Sequence, residues 1–75
     1  MAIFIYDGIG AVETGELPSG DITVRHPMND RLRDIVEPIC RGRGRWKAEY
    51  NNWIVFKQFA NCVHADLEKQ GRRIA

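Results

Sequence analysis

Between Arg41 and Lys47 the chain reads Arg-Gly-Arg-Gly-Arg-Trp-Lys, four positive charges in seven residues with no acid among them. Guanidinium forks grip phosphate oxygens in pairs, and the interleaved glycines let backbone amides approach the same anion. Trp46 adds a flat surface on which a base can stack. These are the parts of a contact with DNA or RNA phosphates. Two plainer readings fit the same residues: a solvated charge run that keeps a loop soluble while Trp46 joins the core, and a surface for an acidic protein.

The remaining chemistry-bearing residues form no comparable constellation. Cys40, Cys62, His26 and His64 supply four zinc-ligand types, but Cys62 and His64 are two residues apart. On a helix that separates them by about 200° around the axis, and no Cys-x-x-Cys pair is present. Buried cysteines and satisfied or surface histidines account for them. Cys62, His64 and Asp66 have the types of a nucleophilic triad in order, yet helical spacing points them apart and Cys62 fits an apolar stripe. The Asp7-Gly8-Ile9-Gly10 turn is followed by an acidic stretch and not by a helix, so it lacks the setting of a phosphate cradle. No metal, no cofactor and no catalysis are expected.

Charge is distributed unevenly behind a formal net charge of +1. Residues 1–24 hold Asp7, Glu13, Glu16 and Asp21 and no Lys or Arg, whereas residues 25–75 hold all eleven Lys and Arg against six acids. A chain of 75 residues makes one small domain that buries about 60% of the surface its unfolded form exposes. Nothing approaches the roughly 20 apolar residues of a membrane helix. The start MAIFIYDG lacks the basic segment and the apolar length of a secretory signal, and two cysteines are too few for a disulfide scaffold. A cytoplasmic location is the expectation.

Several elements must position the basic run. Ala2 to Tyr6 reads as a strand ending at Asp7-Gly8, and Asp21 to His26 as a second, alternating strand stopped by Pro27. Between them, Ile9 to Gly20 reads as a long loop that starts with at most a short strand extension. Asn29 caps a helix with Leu32, Ile35, Val36 and Ile39 on one stripe, and Pro38 is expected to end it near Glu37 or bend it there.

Asn51-Asn52 reads as a two-residue turn joining strands 45–50 and 53–57. That register sets Tyr50 opposite Trp53, Ala48 opposite Val55 and Trp46 opposite Lys57. Trp46, Ala48, Tyr50, Trp53 and Val55 then share the expected core side. Arg45, Lys47 and Glu49 share the other side with Ile54 and Phe56, which leaves two apolar sets competing for burial. From Gln58 to Gln70 a second helix carries Phe59, Cys62, Val63 and Leu67 on its stripe, with Gly71 in the position after the helix end and Arg72 and Arg73 beyond. The expected fold is α+β in the order ββαββα: one antiparallel sheet with both helices on one face.

The segment from Ile22 to Lys69 resembles the HARP (HepA-related protein) domain of annealing helicases and related DNA-processing proteins. That family has a strand, an apolar helix, a short basic loop, an aromatic residue followed seven positions later by Trp in a hairpin, and a second helix. The corresponding stretches here are Ile22-Thr23-Val24, Leu32 to Ile39, Arg41 to Arg45, Trp46 with Trp53, and Phe59 to Leu67. Trp46 stands where the family commonly has Tyr, the turn is richer in Asn, the loop is shorter, and Pro38 lies in the helix. Without a motor beside it, the resemblance implies a structure-tolerant DNA-binding module and not a helicase. Met1 to Gly20 lies outside it.

The leading expectation is a nucleic-acid-binding module that contacts phosphates through Arg41, Arg43, Arg45 and Lys47, supported by Trp46, Tyr50 and Lys57. The alternative is a protein-interaction module or small inhibitor of the kind mobile elements encode, binding a protein partner through the hairpin or the acidic stretch.

Overall fold

The computed structural model describes residues 1–75. In chain order the elements are β1 (Ala2–Tyr6), β2 (Gly10–Glu16), β3 (Ile22–Arg25), α1 (Asp30–Cys40), β4 (Gly44–Lys47), β5 (Asn52–Val55), α2 (Ala60–Gln70) and β6 (Arg72–Arg73). The six strands form one antiparallel sheet in the order β4-β5-β3-β2-β1-β6. The fold is α+β, as the sequence implies, with two strands added to the ββαββα order.

The first addition is β2, inside the stretch that reads as a loop. Gly10 and Gly15 punctuate it like turn residues, but Val12 and Thr14 alternate inward and both are buried. Each glycine makes room for a neighbour. A Cβ on Gly10, where φ is +151°, would lie 3.0 Å from Leu32 Cδ1, and one on Gly15 would lie 3.0 Å from Thr23 Oγ1. The tight turn Asp7-Gly8-Ile9 closes β1 onto β2, with Gly8 at φ +76° supplying the left-handed residue such a loop needs.

The second addition is β6. Arg72 and Arg73 pair with Ile5 and Phe4 and do not trail from the helix end. Gly71 is extended, at φ −124°, so left-handed freedom is not its role. A Cβ there would sit 2.7 Å from the Tyr6 ring, whose hydroxyl donates to the Leu67 carbonyl at 2.7 Å. Burial pushes the Tyr6 phenol up to about 12.

Alternation on the strands gives the sheet two unlike faces. Phe4, Val12, Val24 and Val55 are fully buried on one, where Leu32 and Val36 of α1 and Val63 and Leu67 of α2 cover them. The other face carries no helix. The α1 cap is as the sequence implies, Asn29 Oδ1 accepting from the Arg31 and Leu32 amides at 2.9 and 3.2 Å. Pro38, however, does not end this helix. The helix runs on to Cys40 because Ile39 and Cys40 are buried in the core and the Arg41 amide still reaches the Glu37 carbonyl. Burial of this packing outweighs the one backbone hydrogen bond that Pro38 removes.

The α2 stripe is rotated from the expected one. It consists of Ala60, Val63, His64 and Leu67, at the i, i+3, i+4, i+7 spacing, and Cys62 is exposed. His64 occupies a stripe position because the sheet offers it a polar partner. Its Nε2 lies 2.9 Å from Thr14 Oγ1, and its ring stacks 6.0 Å from Phe4.

Candidate functional site

The hairpin that carries the basic run is shorter than expected and differently registered. A turn of 3₁₀ helix, Ala48–Tyr50, followed by left-handed Asn51, replaces the two-residue Asn-Asn turn. Trp46 therefore opposes Trp53, Lys47 opposes Asn52, Arg45 opposes Ile54 and Gly44 opposes Val55. The slip is an even number of residues, so each strand side chain stays on its expected face. Gly44 is required here, since a Cβ would lie 2.7 Å from Val55 Cα.

On the helix side, Trp46 and Trp53 meet edge to face, with centroids 5.9 Å apart and planes at 68°. Val55 beside them is fully buried, Trp53 is half-buried and Trp46 is 46% exposed. Ala48 and Tyr50, expected on the core side, are in the exposed turn. The seven-residue spacing of the two tryptophans thus produces a direct cross-strand aromatic pair.

The four cations of the run have separate fates. Arg41 is ion-paired with Glu37, one helical turn back. Arg43 Nη1 donates to Asp66 Oδ2 at 2.7 Å, which ties the loop to α2, and Lys69 shares the same carboxylate at 3.4 Å. The hydrogen bond from Arg43 holds the Asp66 carboxyl below its usual range. Arg45 and Lys47 have no ion-pair partner and project from the helix-free face. Lys57 is not beside Lys47: it follows β5 in the 3₁₀ turn Lys57–Phe59, at the far end from Asn52, where its amide donates to Asp21 Oδ1 at 2.9 Å.

A third free cation joins Arg45 and Lys47. Pairing runs Lys47, Asn52, Arg25, Glu13, Ile3 straight across five strands of the helix-free face, so Arg25 and Lys47 are two strands apart, about 10 Å. Arg25 makes no ion pair, although Glu13 is its cross-strand neighbour. Between the two cations Asn52 Oδ1 is covered and has no hydrogen-bond partner. Counting along the chain misses Arg25 because strand pairing, and not sequence distance, brings it to the site. Its position on the outward side of an alternating strand is the signal that points to it.

The cysteines and histidines lie apart from one another. On α2, Cys62 faces solvent, His64 turns to Thr14 and Asp66 turns to Arg43. Burial lowers the His64 pKa, with Arg73 and the N-terminal amine adding to the effect. Cys40 is buried, which pushes its thiol up to about 12. No three His, Cys, Asp or Glu side chains converge on a common point, and no helix is long and apolar enough to cross a membrane.

Compared with protein-family models, curated proteins and solved structures, the chain matches none. The site's chemistry rests on its own residues.

Two hollows of about 560 Å³ each adjoin the hairpin. One lies at the end of β3 and includes Glu13, Arg25, Asn51 and Trp46; the other lies between α1 and the hairpin and includes Asn29, Arg33, Trp46 and Trp53. Both contain His26, Met28 and Trp46, so they meet at the indole. Met28 is 93% exposed.

Proposed function

We propose that this domain binds nucleic acid, DNA or RNA, by laying phosphates across the helix-free face of the sheet onto Arg25, Arg45 and Lys47. One observation carries the reading. Of the eleven Lys and Arg, five are engaged in ion pairs, and three of the six free ones stand together on this face. A free cation surrenders only loosely held counterions to a phosphate, whereas a paired one must first leave its carboxylate. The resemblance of residues 22–69 to the HARP domain supports the same reading. Binding is sequence-tolerant, because phosphate contacts position a strand without reading its bases.

The activity proposed is binding and not catalysis, with no cofactor. A cytoplasmic setting fits two unbridged cysteines. A protein partner is the second reading, favoured by the exposed apolar groups of Met28, Trp46 and Tyr50 around the hairpin.

Titration of labelled single-stranded DNA at two salt concentrations tests the proposal. Tight binding at low salt that weakens at high salt, and that weakens further in Arg45→Ala and Lys47→Ala, supports it. Absence of binding at low salt removes it, and recovery of one stoichiometric protein partner then favours the second reading.

A further inference from the structure

Resting on the phosphate-binding reading, we infer that the ligand is single-stranded and that one unpaired base enters the cleft between α1 and the hairpin, stacking on Trp46. The cleft is adjacent to the proposed phosphate track. Arg25 lines the hollow on the helix-free side, and Arg45 and Lys47 flank Trp46 in β4. Because the two hollows share Trp46, His26 and Met28, a groove passes around the end of the sheet from the cationic face to the tryptophan pair. Each hollow, at about 560 Å³, is within the range of about 300–1,000 Å³ that accommodates small planar ligands.

Trp46 is suited to stacking. Its edge-to-face contact with Trp53 fixes the ring, while nearly half of its surface is open. A base held in a duplex is already stacked on both sides and must be extruded to reach the indole, which selects against paired strands. The acids of the cleft do not repel an incoming strand strongly. Glu37 is neutralised by Arg41, and Asp30 is 3.6 Å from Arg33. His26 Nδ1 donates to the Pro27 carbonyl at 2.8 Å, because that oxygen can only accept, and Nε2 is left without a protein partner beside the cleft. An acidic peptide matches the cations but provides no planar group for the cleft. A second copy of the chain would bring Arg45 and Lys47 against themselves.

Fluorescence titration of the full chain with three labelled probes tests this: short oligothymidylate, an abasic strand of equal length, and a duplex of equal length. Oligothymidylate should bind about tenfold tighter than the abasic strand and the duplex, and it alone should quench tryptophan emission. Trp46→Ala should remove that margin and leave abasic binding unchanged, while Trp46→Phe should keep most of it. A Trp46→Ala protein with altered thermal unfolding is replaced by Trp46→Phe and Trp46→Leu, where retention in the first and loss in the second support stacking. Equal binding of oligothymidylate and the abasic strand, or an equal loss for all three probes in Trp46→Ala, overturns the inference and spares the phosphate reading. Failure of every probe at low salt overturns both.

Discussion

Arg41 with Arg43, and Arg45 with Lys47, are two halves of one basic run, alike in composition and adjacent in the chain. The first half leaves α1 through a loop that passes two carboxylates. Glu37 takes Arg41 and Asp66 takes Arg43. The second half enters β4, whose alternation turns both side chains to the helix-free face, where neither has an ion-pair partner and Glu13, the acid in the cross-strand row of Lys47, is three strands away. Charge density along a sequence thus measures supply, and the fold decides how much stays free. One half has become a structural tie, closing the end of α1 and fastening the loop after it to α2, and the other, joined by Arg25, is the proposed phosphate track.

The largest effect should come from removing each half in turn. At low salt, Arg45→Ala with Lys47→Ala weakens single-strand binding by about tenfold, whereas Arg41→Ala with Arg43→Ala changes it less than about twofold. Thermal unfolding should show the opposite order, with the midpoint lowered by Arg43→Ala and unmoved by Arg45→Ala. Equal binding losses from the two pairs would erase the distinction between them. A reversed pair, Arg43→Asp with Asp66→Arg, should recover more stability than the sum of the single changes, as for any direct ion pair.

A smaller effect concerns Glu13, the acid of the helix-free face. Glu13→Gln should tighten binding by about twofold to threefold by removing repulsion of the incoming phosphates. Weaker binding would mean that Glu13 orients Arg25 and does not oppose the ligand.

pH separates the tie from the free cations. Because the Asp66 pKa is lower folded than unfolded, the stability it contributes is complete above the ordinary carboxylate range and is lost as pH falls through the folded value. His64, also lowered on folding, favours the native state when neutral, so its contribution is complete above about 6.5 and is lost as pH falls below it. The unfolding midpoint should therefore decline in two stages, first below neutrality and then in the carboxylate range. His64→Gln should flatten the first stage and Arg43→Ala the second. A first stage that persists in His64→Gln would assign it to another group.

The smallest effect is at Asn52. Its covered Oδ1 has no partner, so Asn52→Val should raise stability by about 1 kcal/mol in denaturant unfolding. A loss of stability would show that the amide is satisfied in solution.

Much of this arrangement is legible in the sequence, and what is hidden has physical reasons. Asn29 and the Leu32, Val36, Ile39 spacing announce α1, and Trp46, Trp53 and Val55 share a face under either register because an even slip preserves side-chain alternation. β2 is concealed by Gly10 and Gly15, which read as turn residues and serve close packing against Leu32 and Thr23. β6 is too short for a pattern and exists because β1 offers it an edge. The end of α1 is misread because Pro38 reports a local cost, while the burial of Ile39 and Cys40 that offsets it is tertiary. At the site, Arg45 and Lys47 are visible as charge, but the capture of Arg43 by Asp66, 23 residues away, and the arrival of Arg25 beside Lys47 depend on pairings that no local window contains.

The most direct measurement is the slope of log affinity against log salt for a single strand, taken for the wild type and for alanine variants along the basic run. With about 0.7 per phosphate contact, three contacts predict a slope of roughly −2, which Arg25→Ala, Arg45→Ala and Lys47→Ala should each make shallower by about one contact's worth. Arg41→Ala and Arg43→Ala should leave it unchanged. A slope near zero in the wild type, or one that depends on Arg41 and Arg43 as much as on Arg45 and Lys47, would contradict the division of the run into a tie and a track.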